Sequence, residues 1–88
     1  MRERDIRRAL DLRVKALGGS TRALSWLGRA HAPDVLVLLA DEHALVETKR
    51  PGETARAGQA REHERLRAAG FRVLLVNCIE DLDREFPL

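Results

Sequence analysis

Pro33-Asp34-Val35-Leu36-Val37-Leu38-Leu39, then Ala40-Asp41-Glu42-His43, then Ala44-Leu45-Val46-Glu47-Thr48-Lys49 is the stretch that orders the rest of this chain. Residues 35–39 are a continuous apolar run, the mark of a strand covered on both faces, and residues 40–43 are short and polar enough to turn a hairpin. Residues 44–49 return as the antiparallel partner. The hairpin sets Asp34, at the start of one strand, beside Glu47 and Lys49, at the end of the next. Alternation puts Glu47 and Lys49 on one face and turns Thr48 away, with its carbonyl left available.

Upstream, Ile6, Leu10, Val14 and Leu17 recur at helical spacing over residues 3–17, and Gly18-Gly19 stops the helix. One turn before Ile6 the same stripe reaches Glu3, which sets a carboxylate on the core-facing side, where it needs a partner. Its other reading is a first-turn acid that complements the helix dipole. Residues 20–27 alternate weakly and suit an edge strand, with 28–32 as the loop after it. Downstream, Pro51-Gly52 breaks the pattern before a helix over 57–69 that Gly70 caps. Residues 71–77 form the last buried strand, and 80–86 a short terminal helix closed by Pro87. The helix between 44–48 and 72–77 permits a parallel crossover. The predicted fold is α/β, a mixed four-stranded sheet flanked by helices, in a single domain spanning 1–88.

The chain has 88 residues, 44% of them apolar, but its only aromatic residues are Trp26, Phe71 and Phe86. A core at this size buries only about two-thirds of the unfolded surface, which leaves room for association into a dimer. The few aromatics provide no stacking platform for single strands. Cys78 is alone, which excludes an internal disulfide and a cysteine zinc cluster and fits a reducing, cytoplasmic interior. His31, His43 and His63 are too scattered for a zinc site. No apolar stretch approaches the roughly 18 residues of a membrane helix.

Net charge is +2, unevenly spread. Residues 1–29 carry eight basic against three acidic side chains, and residues 49–72 seven against three. Acids dominate in the middle and in the tail. An acidic centre framed by arginine-rich segments suits a metal site that also attracts a polyanion, although any one of those arginines also serves to solvate a helix face.

Asp34, Glu47 and the Thr48 carbonyl make an oxygen-rich partial shell of the kind that magnesium or manganese takes, with positions left for water and a phosphate oxygen. Lys49 beside it suits orienting that water or stabilising charge at phosphorus. Gln59 opens the second helix, where its amide is placed to hold a ligand water or simply to face solvent; His63 and Leu66 follow on roughly the same face. Pro-Asp alone is a common turn start, and Glu-x-Lys alone occurs as a solvated pair. The joint order is more telling, because each motif falls at the end of an element. It points to a small metal-dependent nuclease.

Pro33-Asp34, Glu47-Thr48-Lys49 and Gln59 resemble the core of the PD-(D/E)xK nuclease superfamily. Within it the chain is most similar to the stand-alone, phage-type VRR-Nuc domain. The likeness also takes in Glu3, Asp5-Ile6, the segment 14–19, Leu36-Val37-Leu38, Val46, the segment 61–66 and Gly70-Phe71-Arg72-Val73. The resemblance implies a restriction-endonuclease-like αβββαβ core and a homodimeric endonuclease that requires Mg2+ or Mn2+. It further implies kinship with the nuclease module of the Fanconi-associated nuclease, cutting of branched DNA such as four-way junctions, and a 5′-phosphate product. It assigns Glu3, Asp34 and Glu47 to the acidic cluster, Thr48 to a carbonyl ligand, Lys49 to the catalytic lysine and Gln59 to a helix-borne polar partner. His31 stands where the family commonly has glycine, and Thr48 where an apolar residue is usual.

Arg29, Arg50, Arg56 and Arg61 flank the motif and are the expected phosphate contacts, which confer affinity without base preference. Two alternatives share the fold: a catalytically silent DNA-binding or assembly module, with the acids and lysine kept as a buried ion-pair network, and a repair or restriction nuclease acting on linear duplex.

Overall fold

A computed structural model describes all residues, 1–88. Helix α1 spans Glu3–Ala16. Its start is closed by Asp5 Oδ2, which accepts the Arg2 N–H at 2.7 Å. It ends where Gly18 takes φ +86°, which lets the Gly18 and Gly19 N–H groups fold back to the Lys15 and Val14 carbonyls. Ile6, Leu10 and Val14 are fully buried along one face.

The sheet has the order β1-β2-β3-β4, with β1 Ser20–Ala23, β2 Val35–Leu38, β3 His43–Thr48 and β4 Arg72–Val76. The first three strands are antiparallel, and β4 joins β3 in parallel. Helix α2, Ala57–Ala68, provides the crossover, and α3, Ile79–Glu85, closes the chain. The predicted mixed sheet flanked by helices is the observed one.

Three local expectations are corrected. The first strand is shorter than 20–27. Its last ladder bond is Leu24 N–H to the Asp34 carbonyl, 2.9 Å, and the chain leaves the sheet beyond it. The Trp26 indole N–H instead donates to the Pro33 carbonyl at 2.7 Å. The hairpin turn is closed by Leu39 N–H to the Glu42 carbonyl, 3.0 Å, so β3 begins at His43 rather than Ala44. Finally, β2 is not covered equally on both faces. Val35 and Val37 are fully buried, whereas Leu36 and Leu38 are half-buried, because α2 packs on the β4 side of the sheet.

The core lies between the sheet and α1 with α3. Val35, Val37, Ala44, Val46 and Val76 meet Ile6, Leu10, Val14, Leu82 and Phe86 there. On the other face α2 turns Gln59, Glu62, His63 and Leu66 inward, and two of these, Glu62 and His63, are fully buried polar residues. Hydrophobic burial alone does not account for such a stripe. Glu62 takes its hydrogen bonds from Arg29 and Arg65, and His63 Nε2 has no partner. No helix is long and apolar enough to cross a membrane.

Candidate active site

Val35 pairs with Val46 across the hairpin; one step further along that register Asp34 faces Glu47. Their carboxylates are joined by that of Glu3, from the first turn of α1, and one oxygen of each acid lies within 4.8 Å of the others. Glu3 is exposed, Asp34 half-buried and Glu47 buried at 6% exposure. Exposed Glu3, in the first turn of α1, thus brings a carboxylate oxygen to the end of the hairpin.

Asp34 is held from β3. Thr48 donates its backbone N–H to Oδ1 at 3.2 Å and its hydroxyl to Oδ2 at 3.1 Å. Thr48 turns away from Glu47, as strand alternation requires, but its hydroxyl is not idle.

Glu47 is the strained group electrostatically. Burial, then the neighbouring charge of Asp34 and more weakly that of Glu3, push its carboxyl up to about 7, against the pull of Lys49. Its Oε1 is buried without a hydrogen-bond partner. On the far side, 3.8 Å away, stands His63 Nε2 of α2, equally buried and equally unpartnered. Burial holds the His63 imidazole below its usual range, helped by the charges of Arg67 and Lys49. Lys49 is half-exposed, its backbone N–H fixed to the Val76 carbonyl at 3.0 Å.

Three converging carboxylates, one of them buried with an oxygen to spare, are costly by themselves and fit a hard divalent cation held by oxygen donors. Glu3, Asp34 and Glu47 are the residues able to hold it.

No family model matches the chain. A solved VRR_NUC domain has the same fold with a TM-score of 0.85 and 37% sequence identity, over 93% of this chain and 90% of that one. A protein of Acyrthosiphon pisum secondary endosymbiont phage 1, described as "Putative nuclease p44", is 36% identical over 88 residues, which cover 99% of this chain and 94% of that relative. The chain belongs to the VRR-Nuc nuclease family.

In this VRR-Nuc chain Gln59 is tied to the start of its own helix. It sits in the first turn of α2, where its Oε1 accepts the Arg56 N–H at 3.0 Å and closes the helix start, which leaves its amide N–H groups out of that bond. The four arginines divide. Arg56 and Arg61 are exposed. Arg50 is exposed and reaches Glu53 at 3.2 Å. Arg29 grips buried Glu62 with two bonds, 3.0 and 2.7 Å, to opposite oxygens, and Arg65 adds a third at 3.3 Å. This grip pins the connection between β1 and β2 to α2.

His31 follows in that connection with φ +68°, the left-handed region that glycine favours. Its backbone is therefore the one a glycine at this position would take. The ring rests on Gly58, where an added Cβ would come within 2.8 Å of it.

Sequence reasoning missed the Thr48 hydroxyl, the Glu62 anchor of Arg29 and the closeness of His63 to Glu47. The signals were a polar residue between Glu47 and Lys49, and the spacing of Gln59, Glu62, His63 and Leu66 along one helix face.

Proposed function

We propose that this VRR-Nuc nuclease is a metal-dependent, structure-specific DNA endonuclease that acts as a homodimer on branched DNA such as four-way junctions. The observation that carries the reading is the meeting of buried Glu47 with Asp34 and Glu3 at the end of the hairpin, with the charge of Lys49 acting on the same carboxylate.

A divalent cation, Mg2+ or Mn2+, supplies Lewis acidity and a low-pKa water when bound. The chain's own groups do the rest. Glu3, Asp34 and Glu47, with the Thr48 carbonyl, hold the cation. Thr48 fixes the Asp34 carboxylate from two sides. Lys49 orients the attacking water and offsets negative charge that builds on the phosphate oxygens. Gln59 offers its amide N–H to the same water from α2. Arg50, Arg56 and Arg61, with the remaining donors of Arg29, contact the DNA backbone, which confers affinity and salt dependence without base preference. A twofold dimer brings two such sites to two symmetric strands of a junction.

The test is cleavage of labelled four-way junction, flap, single-stranded and linear duplex DNA with Mg2+ or Mn2+, for wild type, Lys49→Ala and an EDTA control. Metal-dependent cutting of the junction that disappears in Lys49→Ala is expected. Binding without cutting by folded wild type overturns the catalytic assignment in favour of a silent module, and preferred cutting of linear duplex overturns the substrate class. Sedimentation of the protein with and without junction DNA tests the dimer.

A further inference from the structure

Only two buried side-chain polar atoms in the molecule lack a hydrogen-bond partner, Glu47 Oε1 and His63 Nε2, and they face each other at 3.8 Å. They come from different layers, Glu47 from β3 and His63 from the inward stripe of α2. Both side chains are nearly sealed from solvent, at 7% and 3% exposure. A buried imidazole without a partner is an expensive occupant for a helix position that Leu or Met would fill at a gain. The neighbouring buried polar residue on the same stripe, Glu62, is fully satisfied by Arg29 and Arg65. His63 has no such anchor, and the group its Nε2 faces is a residue of the acid cluster.

The gap is about 0.8 Å longer than a good N–H···O bond, a distance that a small side-chain rotation closes. Imidazole carrying its proton on Nε2 donates along this line, and an ionised carboxylate accepts.

We propose that His63 is a positioning residue for Glu47: its Nε2–H donates to Oε1 and fixes the carboxylate orientation, so that the other oxygen is presented together with Asp34 and Glu3. This rests on the cation-site reading above. Partners of this kind, one bond removed from a metal, typically change affinity 10- to 100-fold when removed.

The experiment is calorimetric titration of the full chain with Mn2+ alone, for wild type, His63→Met and His63→Gln, alongside thermal unfolding of each in EDTA. His63→Met removes the donor at similar volume and is expected to bind Mn2+ about 10- to 100-fold more weakly, while unfolding at or above the wild-type temperature. His63→Gln, whose amide nitrogen reaches the place of Nε2, is expected to restore affinity close to wild type. Equal affinity in wild type and His63→Met overturns the inference, as does His63→Gln as weak as His63→Met. If Met is not tolerated in the fold, His63→Asn replaces it, since the shorter amide falls short of Glu47. Absence of Mn2+ binding by wild type overturns the cation-site reading itself and this inference with it, so the two failures are distinguishable.

Discussion

The Thr48 hydroxyl donates to Asp34 Oδ2 at 3.1 Å while the Thr48 N–H donates to Oδ1 at 3.2 Å, so a single residue of β3 sets the orientation of the acid that begins β2. Thr48→Val keeps the shape and the backbone bond but deletes the hydroxyl. The expected cost is about 1 kcal/mol of stability and about a tenfold loss of Mn2+ affinity. Urea unfolding and calorimetry measure the two; unchanged Mn2+ affinity would show that the backbone bond alone orients Asp34.

Glu47 makes the metal-free protein pH-sensitive. Its carboxyl titrates near 7 in the folded chain against 4.5 ordinarily, so the folded state binds the extra proton and stability falls as pH rises from about 4.5 through about 7. In EDTA the melting temperature should decline across that window, and Glu47→Gln should flatten the decline. Mn2+ must displace the proton, so its stabilising effect should grow with pH over the same range. A melting curve series at stepped pH, with and without Mn2+, checks both signs.

Arg29 and Glu62 hold the β1–β2 connection to α2. Arg29→Ala leaves a buried carboxylate with only Arg65 on it, whereas Arg65→Ala leaves the two-bond grip intact. Arg29→Ala should therefore lower the urea midpoint more than Arg65→Ala, and Glu62→Gln should soften the Arg29→Ala effect in the double variant. Equal midpoints for the two single variants would mean that the connection is held by other contacts, such as the bond from Trp26 to Pro33.

Arg56 and Arg61 are exposed near the start of α2. If each meets one phosphate, Arg61→Ala should weaken junction binding at low salt and reduce the slope of log affinity against log salt by about 1, equally for unrelated sequences. An unchanged slope would place the DNA elsewhere.

The elements of this fold are local consequences of side-chain pattern. Ile6, Leu10 and Val14 lie one helical turn apart, so period alone decides α1 and its buried face, whereas the wholly apolar run 35–38 marks a strand without deciding which face is covered more. The meeting of Asp34 with Glu47 is equally local, because a short hairpin brings the start of one strand beside the end of the next. The strand limits depended on finer facts: β1 makes its last ladder bond at Leu24, and beyond it the Trp26 indole rather than the backbone meets the Pro33 carbonyl.

By itself, then, the sequence determined the order of elements, the antiparallel hairpin and the acids and lysine at its end, since each depends on residues close along the chain. Tertiary structure alone decided which of the other polar groups meet. Arg29 meets Glu62 across 33 positions, His63 faces Glu47 from another layer, and the Thr48 hydroxyl reaches across to Asp34. A hydrogen bond needs its atoms placed to within a few tenths of an ångström, and that placement comes from the packing of α2 on the sheet and on the β1–β2 connection and from the detailed geometry of the hairpin, which no local period encodes.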